Sequence, residues 1–152
     1  MDLDFDQITD DLFIGARLGP HDWHVMQALH VTVDLNLQAE AHDRFLAASP
    51  EVYMWLPVAD YYGPTLDKLM TGAPFIALMI SQGRKVYVHC HAGLGRTPIM
   101  AAGYLVVAGM SAEDALKLIG RKRPRINPTD GQIQHLFEFE ARWNQAPIKT
   151  PE

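Results

Sequence analysis

The chain has 152 residues, 48% of them hydrophobic and 20% charged, with a net charge of −5. That size and balance are those of one compact globular domain, and the acidic excess argues against a dedicated nucleic-acid binder, whose surface must neutralise many phosphates. A single cysteine, Cys90, excludes an internal disulfide framework and a cysteine-rich zinc site.

No apolar run approaches the roughly 20 residues that span a bilayer; the longest, residues 99–110, is broken by Gly103 and Gly109. Residues 1–6 are acidic, where a secretory leader would be basic and then apolar. A cytoplasmic, monomeric protein of one domain is the expectation.

In chain order, residues 8–15 read as a turn into a short strand ended by Gly15. Residues 20–29 carry Trp23, Met26 and Leu29 at the spacing of a short helix, and residues 31–37 alternate as a strand with one buried face. A polar stretch over 38–44 and a helical patch ending near Ser49-Pro50 precede residues 52–58, whose β-branched and aromatic residues predict another strand. Residues 59–64 form the loop that leaves it. Thr65 then caps a helix running to Gln82-Gly83, which Gly72 and Pro74 should kink or split. Residues 84–89 are a compact buried strand, and residues 97–108 an apolar helix that Gly109 ends. Ser111 opens a capping-box helix to about Arg121. After Pro124 and Pro128, a last helix spans about 130–144 and buries Ile133, Leu136, Phe137 and Trp143; residues 147–152 read as a frayed tail. Strands alternating with helices predict a single-domain α/β fold, with a mostly parallel central sheet covered by helices on both faces.

The connection between the strand at 84–89 and the helix at 97–108 carries the chemistry. A phosphate oxyanion is best held by several backbone N–H groups in one concavity at a helix N-terminus, where the dipole also favours negative charge. In the run His89, Cys90, His91, Ala92, Gly93, Leu94, Gly95, Arg96, Thr97, the two glycines let the chain curl with its amides inward. Aligned dipoles and a nearby cation stabilise a thiolate at Cys90, which makes it a nucleophile. Arg96, six positions on, is placed to grip two phosphoryl oxygens, a fork that lysine lacks. The same grip stabilises the charge on a transferring phosphoryl group. Thr97 sets a hydroxyl beside the sulfur to ease thiolate departure, and His89 is placed to orient the loop. A lone cysteine at a strand end is by itself more often a small buried hydrophobe; the conjunction of spacing, glycines and arginine outweighs that reading.

At these residues the chain resembles the protein tyrosine phosphatase superfamily, whose His-Cys-x5-Arg-Ser/Thr signature is matched by His89, Cys90, Arg96 and Thr97. It is most similar to the small dual-specificity phosphatases, including compact atypical and prokaryotic members. The likeness extends over residues 8–15, 33–37, 57–60, 123–126 and 139–140. It implies that Cys90 attacks phosphorus to give a phosphocysteine, that the loop from His91 to Arg96 binds phosphate, and that an aspartate about 30 residues upstream is the general acid. Asp60 lies 30 positions before Cys90. Physical reasoning selects it too, because one carboxyl on a mobile loop can protonate the leaving group and then deprotonate water. Asp67, the rival, falls in the following helix; an Asx-turn role is the plain alternative for Asp60.

Secondary candidates are Asn36, which could bracket the signature loop, and Gln132, which could position the hydrolytic water. Arg123 and Arg125, in the basic run 121–125, read either as a solvated helix end or as contacts to a second anionic group on the substrate. The pairs His89-x-His91 and His21-x-x-His24 raise a metal, but neither comes with a consistent carboxylate set in the sequence, so neither metal nor cofactor is expected. Met70, Met79 and Met100 read as core filling. The expected substrate is phosphotyrosine, and more broadly phosphoserine or phosphothreonine, in a phosphoprotein or phosphopeptide. The alternatives are the same chemistry on a phosphoinositide or nucleotide phosphate, a phosphate-binding module without turnover, and a persulfide-forming sulfurtransferase. With no second cysteine, peroxide inactivation should proceed without a protein disulfide.

Overall fold

The structure, a computed structural model, describes residues 2–145. The expected tail at 147–152 lies outside the described residues. Five strands, β1 (Phe5–Gln7), β2 (Leu12–Gly15), β3 (Val31–Gln38), β4 (Val52–Val58) and β5 (Lys85–His89), form one sheet in the order β1-β2-β5-β3-β4. The four strands from β2 to β4 run parallel, and β1 closes one edge antiparallel to β2. The α/β, mostly parallel architecture is as expected. β1 was not anticipated, because a three-residue strand has too short a pattern to announce itself.

The helices are α1 (Trp23–Ala28), α2 (Leu66–Ser81), α3 (Arg96–Val107), α4 (Ala112–Lys122) and α5 (Asp130–Trp143). The main core joins one sheet face, through Val33, Leu35, Val86 and Val88, to α2, α3, α4 and α5. α3 is buried over almost its whole length, which explains its uniformly apolar sequence. The opposite sheet face is covered more thinly, by Trp23 and Met26 of α1 and by the β3–β4 connection, whose Phe45 packs edge-on against Trp23 and Tyr53.

Four local expectations are corrected. Residues 39–50 contain no helix; they cross the thinly covered face as an irregular connection, held by the Leu46 amide on Pro20 O (3.0 Å) and by Asp43 beneath the sheet surface. α2 is not split at Gly72 and Pro74 but runs as one helix through them, its buried face of Leu69, Ala73, Ile76 and Met79 packing into the main core. Phe137 is exposed, and α5 instead buries Gln132, Leu136 and Phe139. Met70 is also exposed, whereas Met79 and Met100 fill the core.

Candidate active site

Cys90 follows the last residue of β5, and the loop after it enters α3 at Arg96, with Gly95 as N-cap. Every loop carbonyl is bonded on the outside. Cys90 O accepts from His89 Nδ1 (3.3 Å), His91 O from the Arg17 amide (3.0 Å) and Leu94 O from the Asn127 amide (2.7 Å). Ala92 O and Gly93 O both accept from Arg123, at 3.0 and 2.9 Å. A trans peptide points its N–H opposite to its C=O, so the amides of residues 91–95 face into the concavity. The Gly93 amide already donates to Cys90 Sγ at 3.3 Å. Gly93 has φ of 72°, and a β-carbon there would lie 2.4 Å from the Gly15 backbone; the curl requires glycine on both counts.

Arg96 is buried at the floor of this concavity. Its Nη1 donates to Glu40 Oε1 (2.8 Å) and Val58 O (3.0 Å), and its Nη2 donates to Glu40 Oε2 (3.0 Å). Of five donors, the two left over are Nε, which is buried without a hydrogen-bond partner among the described residues, and the second Nη2 hydrogen. These lie on one edge of the guanidinium, which makes no hydrogen bond among the described residues, with Asp60 Oδ1 3.5 Å from Nε, and can offer a parallel two-pronged grip. The bond from Arg96 holds the Glu40 carboxyl well below its ordinary range, at about 2, against a smaller opposing effect of burial. Glu40 was not singled out from sequence, because the polar stretch at 38–44 carries no periodicity and its partner lies 56 residues away.

Asp60 sits on the loop after β4 with Oδ1 3.5 Å from Arg96 Nε, and its side chain is half exposed. Asp60 Oδ1 accepts from the Tyr61 amide (2.9 Å), and Tyr61 O accepts from the Thr129 hydroxyl (3.0 Å), which ties the Asp60 loop to the start of α5. Asp67 lies in the first turn of α2, away from the cavity. A cavity of about 350 Å3 thus brings together Cys90, the loop residues His91, Ala92, Leu94 and Gly95, Arg96, Asp60, Tyr61, Asn127, Thr129 and Gln132. Gln132 closes a capping box with Thr129, its Oε1 accepting from the Thr129 amide (2.8 Å), and lies over Gly95. The Thr97 hydroxyl is buried and has no hydrogen-bond partner among the described residues.

Three secondary expectations change. Asn36 brackets the β3–β4 connection and not the signature loop: its Nδ2 donates to Ala41 O (2.9 Å) and Tyr53 Oη (3.2 Å), and its Oδ1 accepts from the Gln38 amide (2.9 Å). Arg123 is no solvated cation. It is fully buried, ties together the outer carbonyls of the loop, and pairs with Asp4 and Asp6 at 3.1 and 2.9 Å. Arg125 remains exposed, on Asp4 at 2.7 Å. The acidic N-terminus is therefore the counter-charge of the basic run, a match between residues some 120 positions apart.

The third change concerns His89, which does have a carboxylate set. His89 Nε2 lies 2.7 Å from Asp43 Oδ2 and 3.1 Å from Asp34 Oδ1, and all three side chains are buried. One donor atom from each falls within 4.8 Å of the others, a set that could hold a metal ion. The other pairs dissolve: the ring of His91 contacts Arg17 Nη1 (2.8 Å), and His24 bonds to His21 O. Burial works against a charge on His89, but the close carboxyls of Asp34 and Asp43 overcome it and hold its pKa up at about 10. Burial pushes the Asp34 carboxyl well above its ordinary value, while Asp43, despite burial, is held low by its bonds to His89 and Asp34.

Residues 12–142 match the family model described as dual specificity phosphatase, catalytic domain. The chain belongs to this family. Among curated relatives, the human phosphatidylglycerophosphatase and protein-tyrosine phosphatase 1 is 37% identical over 114 residues, which cover 69% of this chain and 57% of that protein. The tyrosine-protein phosphatase vhp-1 of Caenorhabditis elegans is 27% identical over 135 residues, 88% of this chain and 20% of that protein. The phosphatase domain thus spans between a fifth and rather more than half of these relatives. Its fold is similar to that of a mouse putative dual specificity phosphatase complexed with zinc tungstate, with TM-score 0.83 and 19% identity over 93% of this chain and 89% of that one. It is also similar to PTPMT1 in complex with PI(5)P, with TM-score 0.75 and 26% identity over 91% and 95% of the two chains.

Proposed function

We propose that this phosphatase domain hydrolyses phosphomonoesters on proteins, phosphotyrosine foremost, through a phosphocysteine intermediate and without metal or cofactor. The observation that carries the chemistry is the open Nε/Nη2 edge of Arg96 facing inward-pointing loop amides around Cys90. Cys90 Sγ attacks phosphorus and the ester oxygen leaves with the proton of Asp60. The amides and Arg96 hold the three equatorial oxygens as charge develops on them. Asp60 then removes a proton from a water that Gln132 positions, the water oxygen bonds to phosphorus as the P–S bond breaks, and the Thr97 hydroxyl stabilises Cys90 as it departs.

Protein substrates are favoured by the walls of the cavity. The loop offers His91, Ala92, Gly93, Leu94 and Gly95 and no lysine, and the groove beside it carries Asp2, Asp4 and Asp22 against the single arginine Arg17, with Asp4 already paired to Arg123 and Arg125, so it lacks the basic surface that an anionic bilayer would attract. A phospholipid monoester is the second reading, favoured by the likeness to the human phosphatidylglycerophosphatase and protein-tyrosine phosphatase 1. Turnover of p-nitrophenyl phosphate with chelator present, blocked by vanadate and abolished by Cys90→Ser, tests the chemistry; its absence would refute the enzymatic reading. Comparing phosphotyrosyl peptides with vesicles containing phosphatidylglycerophosphate tests the substrate, and faster lipid turnover would overturn the protein reading.

A further inference from the structure

Two buried carboxyls beside one imidazole are costly unless the three share protons so that no net charge remains. The hydrogen-bond geometry dictates how. His89 Nδ1 faces only the Cys90 carbonyl and Nε2 faces only carboxylate oxygens, so both ring nitrogens are placed as donors. The Nε2 hydrogen is directed to Asp43. Both Asp34 oxygens lack a donor among the described residues, which a proton on one of them, given to Asp43, would resolve. An imidazolium, one carboxylate and one carboxylic acid then sum to zero. Tyr87 stacks on the His89 ring from the same strand, and behind Asp43 stand Tyr53, whose hydroxyl accepts from the Asp43 amide (2.8 Å), and His42.

We propose that Asp34 and Asp43 are positioning residues for the nucleophile: they hold His89 as an imidazolium against the Cys90 backbone. Asp43 lies on the connection that also carries Glu40, three residues earlier. One segment therefore sets both the histidine beside the nucleophile and the arginine that grips phosphate. Asp60 and the substrate take no part in this, so it holds or fails independently of the choice between protein and lipid.

Because Cys90 is the sole cysteine, alkylation by iodoacetamide reads its thiolate directly and needs no substrate. In the Asp34→Asn/Asp43→Asn double variant the alkylation rate should fall about tenfold at pH 6 and converge to within about twofold of the unaltered protein at pH 9.5, the signature of a lost nearby positive charge. An equal loss at both pH values, or none at pH 6, would overturn the proposal. If the variant does not fold, the unaltered protein decides: nitrogen-15 spectra of labelled histidine should show His89 protonated on both ring nitrogens at pH 8, and a neutral ring would refute it. Zinc that shifts the His89 signals at stoichiometric concentration would replace it by a cation site.

Discussion

Replacing Arg123 by methionine asks whether one buried cation holds the outside of the phosphate loop. Methionine keeps most of the side-chain volume but leaves Gly93 O, which is buried, and Ala92 O, which is partly so, without their donors. An orphaned buried acceptor costs about 1–3 kcal/mol. Asp4 and Asp6, with side chains 41% and 37% exposed, regain water and add little. Relief of the arginine's own desolvation offsets part of the loss, so the net is about 3 kcal/mol, at the lower end for breaking a buried pair. For a domain of this size that lowers Tm by about 6–12 °C. Arg123→Lys keeps the charge but reaches fewer acceptors and should fall between. Calorimetry measures the shift, and vanadate titration measures whether the loop still binds an oxyanion. A fall in Tm under about 2 °C with unaltered vanadate affinity would refute the reasoning.

Asp60→Asn should depress turnover of alkyl phosphates at least tenfold more than that of p-nitrophenyl phosphate, whose leaving group needs no proton; equal losses in steady-state assays would remove Asp60 from the acid role. Gly93→Ala must adopt a φ of 72° and force a contact 2.4 Å from Gly15, so it should cost several kcal/mol in urea titration, on the order of 3 or more. Gly109→Ala, with positive φ but open space around it, should cost only about 1 kcal/mol; similar losses for the two would show that the close approach is not limiting. Stability should also peak at mildly acid pH, between 4.5 and 6.5. His89, raised from 6.5 to about 10, contributes fully below pH 6.5, and this is lost at up to about 1.4 kcal/mol per unit as pH rises towards 10. Glu40, lowered from 4.5 to about 2, contributes above pH 4.5 and loses this as pH falls towards 2, a small effect because its side chain is 46% exposed. Urea titrations showing stability still rising from pH 7 to 9.5 would contradict the charged His89.

The chemistry of the loop is written locally. His89 to Thr97 places the proposed nucleophile, the glycines, the arginine and the helix start within nine consecutive residues, because a phosphate nest is built by contiguous backbone. Asp60 was legible for a related reason, since it lies at the end of a strand whose pattern is plain. The strands β2 to β5 and helices α2 to α5 followed from periodicity that each segment carries by itself. What surrounds the loop was not written locally. Glu40 on Arg96, Asp34 and Asp43 on His89, and Arg123 between the loop carbonyls and Asp4 and Asp6 are pairings across 30 to 119 residues, and that of Asp34 with His89 arises because β3 and β5 are parallel neighbours in the sheet. A side chain's charge in sequence says that it needs a partner, not which one. Sheet order and the path of residues 39–50 decide that choice, because burial removes water as the alternative partner and makes each such match obligatory.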